Sequence, residues 1–180
     1  MKRIFFLSIL AFCLSAGLSY AQNRLGSKAL YCEFFGASQM VGVNYESRFD
    51  KAKSDGLGWR IGCGVGFAYS SSGLRVSYNG REVNTYNHMA RMAVPLELNC
   101  LIGQNKSKAE FGLGAFFCAD YYYEDSVGNT GYGVGLAPYI SLGYRLVTER
   151  GFLFRIGTLG FRTVEETLGV YPFIGFGKSF

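Results

Sequence analysis

Large apolar side chains recur at every second position along much of this chain. In the segment YGVGLAPYISLGYRLV, residues 132–147, every even position is apolar, whereas the odd positions are mostly small or polar. Successive side chains of a strand point to opposite faces, so this segment predicts one long strand with one apolar face. Strands average only about 5 to 6 residues. A strand of this length and pattern is typical of one that crosses a lipid bilayer.

The same alternation predicts strands elsewhere in the chain. Residues 57–69 and 110–123 have their apolar side chains at odd positions, residues 91–102 at even positions, and the opposite faces are rich in glycine and charged residues. Four other segments have a weaker alternation and bring the total to eight predicted strands. They are Leu30–Gly36, 41–49, Phe152–Arg162 and Val170–Phe180. In the seventh, the apolar positions change parity after Ile156, which predicts a β-bulge near Gly157 or Gly160.

A hairpin signal fixes the register between the third and fourth strands. Both residues of Asn79-Gly80 tolerate the positive φ of a type I′ turn. If the turn forms there, the apolar odd positions of the third strand lie opposite the apolar even positions of the fourth, so turn and pattern agree. The pairs that this register predicts are Tyr78 with Arg81, Cys63 with Leu96, and Trp59 with Cys100.

The connections between the predicted strands alternate in length. KAKSDG, GQNKSK and TERG, after the second, fourth and sixth strands, are short and charged, whereas the connections after the third, fifth and seventh are longer. The connection near Ala37-Ser38-Gln39 is short where a long one is expected. The pattern predicts an all-β fold, an eight-stranded antiparallel transmembrane β-barrel with short periplasmic turns and longer extracellular loops.

The first residues indicate export. Lys2 and Arg3 precede an apolar run from Ile4 to Leu14, and Ser19-Tyr20-Ala21 has the small residues of a cleavage site. We therefore expect residues 1–21 to be a signal peptide cleaved after Ala21, and residues 22–180 to form one outer-membrane β-barrel domain.

The composition argues against a nucleic-acid partner and against a metal site. The formal charge of +5 falls to +3 without Lys2 and Arg3, which is too weak and too evenly spread to indicate a nucleic-acid partner. Four cysteines remain in the mature chain, each inside a predicted strand and without the spacing of metal ligands. We expect them to be small hydrophobic side chains rather than disulfide partners. Neither a metal site nor a cofactor is predicted.

Polar residues share the glycine-rich faces, which would point into the barrel. The interior of an eight-stranded barrel is only wide enough to be filled by side chains. We therefore predict a polar network that plugs the lumen, formed by Glu46, Arg60, Glu97, Glu110, Arg145 and Arg155. A conducting pore and a proton relay are the alternatives.

Several motifs carry a resemblance to a known family. VGVNYESRF, VPLELNCLIG, AEFGLGA and a final Phe180 resemble the small outer-membrane β-barrel proteins common in Bacteroidota, which share the architecture of OmpA-like and OmpX-like barrels. The resemblance implies the outer membrane of a Gram-negative bacterium, with outer-membrane lipid and the barrel-assembly machinery as partners. It also implies an assembly signal at Ile174, Phe176 and Phe180, although Lys178 stands where an aromatic residue is usual.

The resemblance leaves three functions to weigh. The first is a structural or surface-interaction barrel without catalysis, in which the hairpin Leu74–Tyr86 binds an extracellular ligand or protein, centred on Tyr78, Asn79, Gly80 and Arg81. The second is a lipid A-modifying enzyme, for which His88 is the sole histidine, although no catalytic motif surrounds it and no catalytic residue is predicted. The third is a soluble exported lipocalin-like barrel, which would need an apolar lumen.

Overall fold

The computed structural model describes residues 26–78, 81–103, 106–124, 129–162 and 168–180. Eight strands alternate with short connections in these ranges. They are β1 Lys28–Phe35, β2 Val41–Arg48, β3 Gly56–Tyr78, β4 Arg81–Ile102, β5 Ser107–Glu124, β6 Asn129–Val147, β7 Phe152–Arg162 and β8 Leu168–Ser179. A single 3-10 turn, Gly36–Ser38, joins β1 to β2, and we call it the plug turn. None of the described helical segments has the length and hydrophobicity to span a membrane.

Each strand pairs antiparallel with its neighbours in chain order, and β1 pairs with β8 to close the sheet. At this seam the backbones of Lys28 and Phe180 exchange two hydrogen bonds of 3.1 and 2.9 Å. A closed sheet leaves no unpaired edge around its circumference. The predicted closed, eight-stranded antiparallel barrel is confirmed.

The wall of the barrel is uneven in height. Strands β3 to β6 contain 18 to 23 residues, whereas β1, β2, β7 and β8 contain 8 to 12. The β2–β3, β4–β5 and β6–β7 connections meet at one rim, which we call the short-turn rim, and the other connections meet at the long-loop rim. The tall strands rise above the low ones at the long-loop rim, because β6 pairs with β7 only from Tyr139 to Val147.

The two faces of the wall differ as the alternation predicts. Along β4, Met92, Val94, Leu96, Leu98 and Ile102 point outward and are 40 to 59% exposed, whereas the residues between them are mostly buried. Glycines on the inner face let other backbone segments approach closely. A Cβ on Gly64, for example, would lie 2.2 Å from the carbonyl oxygen of Ser38 in the plug turn.

The β3–β4 register is only partly as predicted. Tyr78 pairs with Arg81, but the register shifts between Ser71 and Arg75. Below this irregularity Trp59 lies opposite Leu98, and Leu96 lies opposite Ile61, so the predicted pairs of Trp59 with Cys100 and of Cys63 with Leu96 are wrong. A shift of two residues leaves every side chain on its predicted face, because the side-chain period of a strand is also two.

The predicted bulge in β7 is also wrong. The strand pairs with β6 and β8 in unbroken register, without a shift near Gly157 or Gly160. Leu159 points inward and is 2% exposed, and Phe161 packs beside it. The apolar side chains of β7 change from even to odd positions after Ile156 because the inner face of the barrel is itself apolar at the height of Leu159.

None of the four described cysteines forms a disulfide. Cys32, Cys63 and Cys100 lie at outward positions of their strands, and Cys118 lies at an inward position near the long-loop rim. The described residues contain no group of three or more His, Cys, Asp or Glu side chains placed to hold a metal ion.

Candidate functional site: the charged lumen

Eight buried charged side chains in the lower half of the lumen are linked to one another by ion pairs. Four are glutamates and four are arginines, and none is more than 4% exposed. They are Glu33, Glu46, Arg48, Arg60, Glu97, Glu110, Arg145 and Arg155. Their formal charges sum to zero. A buried charge is costly unless an opposite charge and hydrogen bonds compensate for it, so their arrangement decides whether this interior is stable.

The eight side chains form one chain of alternating charge. Its successive members are Glu97, Arg60, Glu33, Arg155, Glu110, Arg145, Glu46 and Arg48. Arg60 donates to Glu97 at 2.8 Å and to Glu33 at 3.0 Å, and Arg145 holds Glu46 through two hydrogen bonds of 2.7 and 2.6 Å. Every member between the two ends therefore contacts two opposite charges. Seven of the eight strands contribute a side chain.

Tyr31 on β1 lies at the centre of this chain. Its hydroxyl oxygen accepts hydrogen bonds from Arg155 at 2.6 Å and from Arg60 at 3.3 Å. The Arg155 guanidinium also lies over two rings, 4.9 Å from the centre of Tyr31 and 4.4 Å from that of Phe173 on β8. Guanidinium groups are attracted to aromatic faces, and the attraction is stronger away from water. Phe173 thereby gives the eighth strand a contact with the charged chain.

The Arg48 end of the chain faces the short-turn rim. Arg48 donates to the side-chain oxygen of Asn99 at 2.6 Å, to the backbone carbonyl of Gly56 at 2.9 Å, and to Glu46. Beside it, the Lys108 ammonium donates to the carbonyl and hydroxyl oxygens of Ser54 at 2.8 and 2.6 Å. The lower end of the lumen is therefore filled by side chains bound to the rim.

An apolar layer lies above the charges. Ala37, Phe116, Tyr139 and Leu159 are each at most 4% exposed and pack together, with Phe161 against them. The Tyr139 hydroxyl accepts a hydrogen bond from Arg60 at 2.9 Å, so this side chain belongs to both layers. The two layers together fill the lumen with protein.

The plug turn completes the apolar layer from inside the barrel. Gly36, Ala37 and Ser38 are all buried, and Ala37 packs in the apolar layer with side chains of β5, β6 and β7. The Asn44 amide on β2 donates to the Ser38 hydroxyl at 3.0 Å. The short β1–β2 connection, which departs from the predicted pattern of long loops, therefore folds into the lumen.

This turn requires an unusual backbone. Phe35 has φ 63° and ψ −157°, and Gln39 has φ 66°, on either side of Gly36 with φ 67°. Phe35 adopts a conformation that is essentially restricted to glycine and costs about 1 to 3 kcal/mol for other residues. Its side chain is 51% exposed, so packing compensates little of that cost.

Above the filled lumen, the described residues include a further ion pair. The Arg91 guanidinium on β4 binds both carboxylate oxygens of Asp120 on β5, at 2.5 and 2.7 Å. Both side chains are partly exposed, at 31% and 21%. This pair marks the height at which the interior opens to solvent.

All six residues predicted for the polar network lie in the charged chain. Glu33 and Arg48 belong to it as well and were not predicted. Arg48 lies two positions after the predicted Glu46 and shares its strand face, whereas no inward residue was predicted on the strand of Glu33. Counting every charge at an inward parity, including strand ends, would have found Arg48.

For the remaining predicted residues, the structure describes backbone positions for Tyr78, Arg81 and His88, and side chains only for Ile174, Phe176 and Phe180. Tyr78 and Arg81 end β3 and begin β4, while Asn79, Gly80 and the signal peptide with Ala21 lie outside the described residues. His88 belongs to β4, and its side chain is also outside the described set. Ile174, Phe176 and Phe180 lie at outward positions on or after β8, next to the seam with β1.

The fold is similar to two crystal structures of Ail, the attachment invasion locus protein of Yersinia pestis, one of them in complex with the heparin analogue sucrose octasulfate. The similarity to that complex has a TM-score of 0.51 and 9% identity, and covers 85% of this chain and 95% of Ail. The similarity to the second structure has a TM-score of 0.50 and 9% identity, and covers 85% of this chain and 93% of Ail. No protein-family model and no curated protein sequence matches the chain. The likeness supports the barrel fold.

Proposed function

We propose that this protein is an integral outer-membrane barrel with a surface-interaction role and no catalytic activity. The main support is the distribution of polarity across the wall. Outward side chains such as Leu57, Phe67, Leu113 and Ile140 are apolar and 58 to 71% exposed, whereas the eight charges face inward. In water this arrangement would expose a continuous apolar belt, which soluble proteins rarely do. A lipid bilayer covers such a belt.

The height of the belt fits a bilayer. Twelve residues separate Tyr132 and Tyr144, two outward aromatic side chains of β6. At about 3.3 Å per residue and a tilt of about 40°, they are roughly 30 Å apart along the barrel axis. Apolar bands of outer-membrane barrels are about 25 Å tall and are flanked by aromatic girdles.

The filled lumen argues against a lipocalin-like carrier. A carrier of apolar ligands needs an apolar cavity, whereas this lumen holds four ion-paired carboxylates and an apolar layer packed around the plug turn. It also argues against a conducting pore, since the charges bind one another rather than leave a water-filled path. We therefore assign the lumen a structural role.

The interaction surface that we propose is the hairpin Leu74–Tyr86, at the top of the tall wall formed by β3 to β6. This stretch carries only Arg75, Arg81 and Glu82 as charges, among Val, Tyr, Thr and Asn. Such a segment suits backbone pairing with an extended protein segment. The weak charge disfavours a sulfated sugar of the kind bound by Ail as its partner.

Two assays test the proposal. Outer membranes of expressing cells, run on a gel with and without boiling, should show a mobility shift of the folded barrel. Cells in which residues Leu74–Tyr86 are replaced by a short Asn-Gly turn should keep that shift and lose adhesion to protein-coated surfaces. A periplasmic protein without a shift would refute the membrane location, and unchanged adhesion would refute the hairpin.

A further inference from the structure

The wall of the barrel is interrupted above the plug turn, at the corner where β1 and β2 end. β8 pairs with β1 only from Phe173 downward, and β3 pairs with β2 only as far up as Val65. Above these residues, in the backbone that the structure describes, β8 and β3 border a gap that we call the side notch. Two strand positions are missing from it, so it spans three inter-strand spacings, or roughly 14 Å along the wall.

The corner lies low in the apolar belt. Tyr45 on β2 and Trp59 on β3 are aromatic side chains near the short-turn rim, where an aromatic girdle is expected, and their ring centres are 5.6 Å apart. Val41 begins β2 and lies four residues above Tyr45, or roughly 10 Å at about 3.3 Å per residue and a tilt of about 40°. Since apolar bands are about 25 Å tall, the corner ends roughly 15 Å below the upper edge of the band.

The exposed side chains around the side notch are apolar. Phe35 is 51% exposed and Met40 is 48% exposed at the corner, and Phe67 on β3 is 71% exposed. On β8, Val170 is 63% exposed and Tyr171 is 51% exposed. None of these five side chains carries a charge. They continue the apolar belt to the edge of the notch, which favours a hydrocarbon as the group that covers them.

The backbone at the corner is suited to lipid. Hydrocarbon offers no hydrogen-bond partner, so backbone polar groups at that depth must be paired within the protein. The Phe35 amide donates to the Met40 carbonyl and the Met40 amide donates to the Val65 carbonyl, both at 3.1 Å. The Phe67 amide donates to the Met40 sulfur at 3.4 Å. Pro172, at the edge of β8, has no amide hydrogen to pair.

The side notch leads to a row of aromatic rings inside the barrel. Tyr171 lies two positions before the buried Phe173 and therefore shares its inward face of β8. The ring centre of Tyr171 is 5.4 Å from that of Phe161, which is 5.8 Å from that of Phe116. Phe116 belongs to the apolar layer above the charges. The half-exposed Tyr171 is thus the open end of an apolar surface that continues into the lumen.

We propose that an acyl chain of a lipid in the leaflet at the long-loop rim enters the side notch and lies on the plug turn against this aromatic row. The inference rests on the bilayer embedding proposed above. The depth of the corner places the notch beside acyl chains rather than headgroups, and its uncharged lining gives a polar ligand little to bind. The bound chain would cover the apolar layer from above.

Tryptophan fluorescence in brominated vesicles tests the side notch. Trp59 is the only tryptophan, so the variant W59F is a silent background for one reporter at a time. Y171W places the reporter inside the notch, M40W places it at the corner, and L136W on the outer face of β6 is the control. Each variant is folded into phosphatidylcholine vesicles with bromine near the middle of one acyl chain. Quenching by this lipid is compared with quenching by iodide in the water.

The brominated lipid should quench Y171W and M40W about as strongly as L136W, and iodide should quench none of them. Quenching of Y171W by iodide and not by the lipid, while the lipid still quenches L136W, would show a water-filled notch and refute the acyl chain but not the embedding. Failure of the lipid to quench L136W would refute the embedding itself. The heat-modifiable band confirms folding of each variant, and F161W, in the next ring of the row, replaces Y171W if that variant does not fold.

Discussion

Loss of the Glu110 carboxylate should weaken the barrel strongly. Glu110 lies inside the alternating chain, where it accepts hydrogen bonds from Arg145 at 2.9 Å and from Arg155. The variant E110Q keeps the size of the side chain and leaves two buried guanidinium groups with one negative charge too few. Breaking a buried ion pair costs about 3 to 5 kcal/mol. With a slope of about 2 kcal/mol per molar urea, the unfolding midpoint should fall by about 1.5 to 2.5 M.

Glu97 supplies the matched control, because it ends the chain. Among the residues that the structure describes, Arg60 is the single ion-pair partner of its carboxylate, which also accepts a hydrogen bond from Ser141 at 3.0 Å. The variant E97Q should therefore lose about half as much stability as E110Q. The double variant E97Q/R60Q removes a neutral end pair and leaves six alternating charges, so it should be more stable than R60Q alone.

Urea titrations of the protein folded in detergent measure these effects. The fraction of heat-modifiable band reports folded barrel, and the fluorescence of Trp59 provides a second probe. Equal midpoints for E110Q and wild type would refute the role of the charged chain in stability. A loss of stability in E97Q as large as that in E110Q would show that the position of a glutamate within the chain of alternating charge does not matter.

Three further substitutions test the plug turn and the apolar layer. Phe35→Gly should raise the free energy of unfolding by about 1 kcal/mol, because glycine adopts φ 63° without strain. Phe35→Ala should not raise it. A urea midpoint for Phe35→Gly at or below that of Phe35→Ala would contradict this prediction. Gly36→Ala should destabilise the fold in the same titration, since its Cβ would lie 2.7 Å from that of Phe173. Leu159→Ala should lower the free energy of unfolding by about 2 to 5 kcal/mol, because it leaves a cavity. Leu136 is 59% exposed on the outer face, so Leu136→Ala is the control and should lower it less. Equal losses of stability would mean that Leu159 is not packed as described.

Much of the barrel follows from alternation alone. The faces of β4 and β5 are as predicted, because a bilayer outside and a narrow lumen inside impose opposite polarities on successive residues. The same reasoning collected six of the eight members of the alternating chain. Glu33 was missed because the two faces of β1 hardly differ in polarity: Ala29 and Tyr31 share its face, and Leu30, Cys32 and Phe34 lie on the other.

The errors have a common physical origin. A pattern with period two cannot detect a register shift of two residues, so the irregularity between Ser71 and Arg75 left no trace in the polarity of β3. For β7 we assumed that the inner face is polar at all heights, and therefore interpreted the apolar Leu159 as evidence for a bulge. That face is apolar there because the plug turn brings Ala37 into the lumen, a long-range contact that no local pattern reports.

The alternating chain also decides how the molecule opens. Its links cross the lumen between strands that are not neighbours, such as β1 and β7 through Glu33 and Arg155, or β2 and β6 through Glu46 and Arg145. No strand of the lower barrel except β8 can detach without breaking a charged link, so this part opens cooperatively. In the backbone that the structure describes, the upper ends of β3 to β6 pair only with one another, and their amides should exchange with solvent through local openings. One continuous sheet thus contains two zones of amide hydrogen exchange. The amides of the lower barrel exchange slowly, and those of the upper ends of β3 to β6 exchange rapidly.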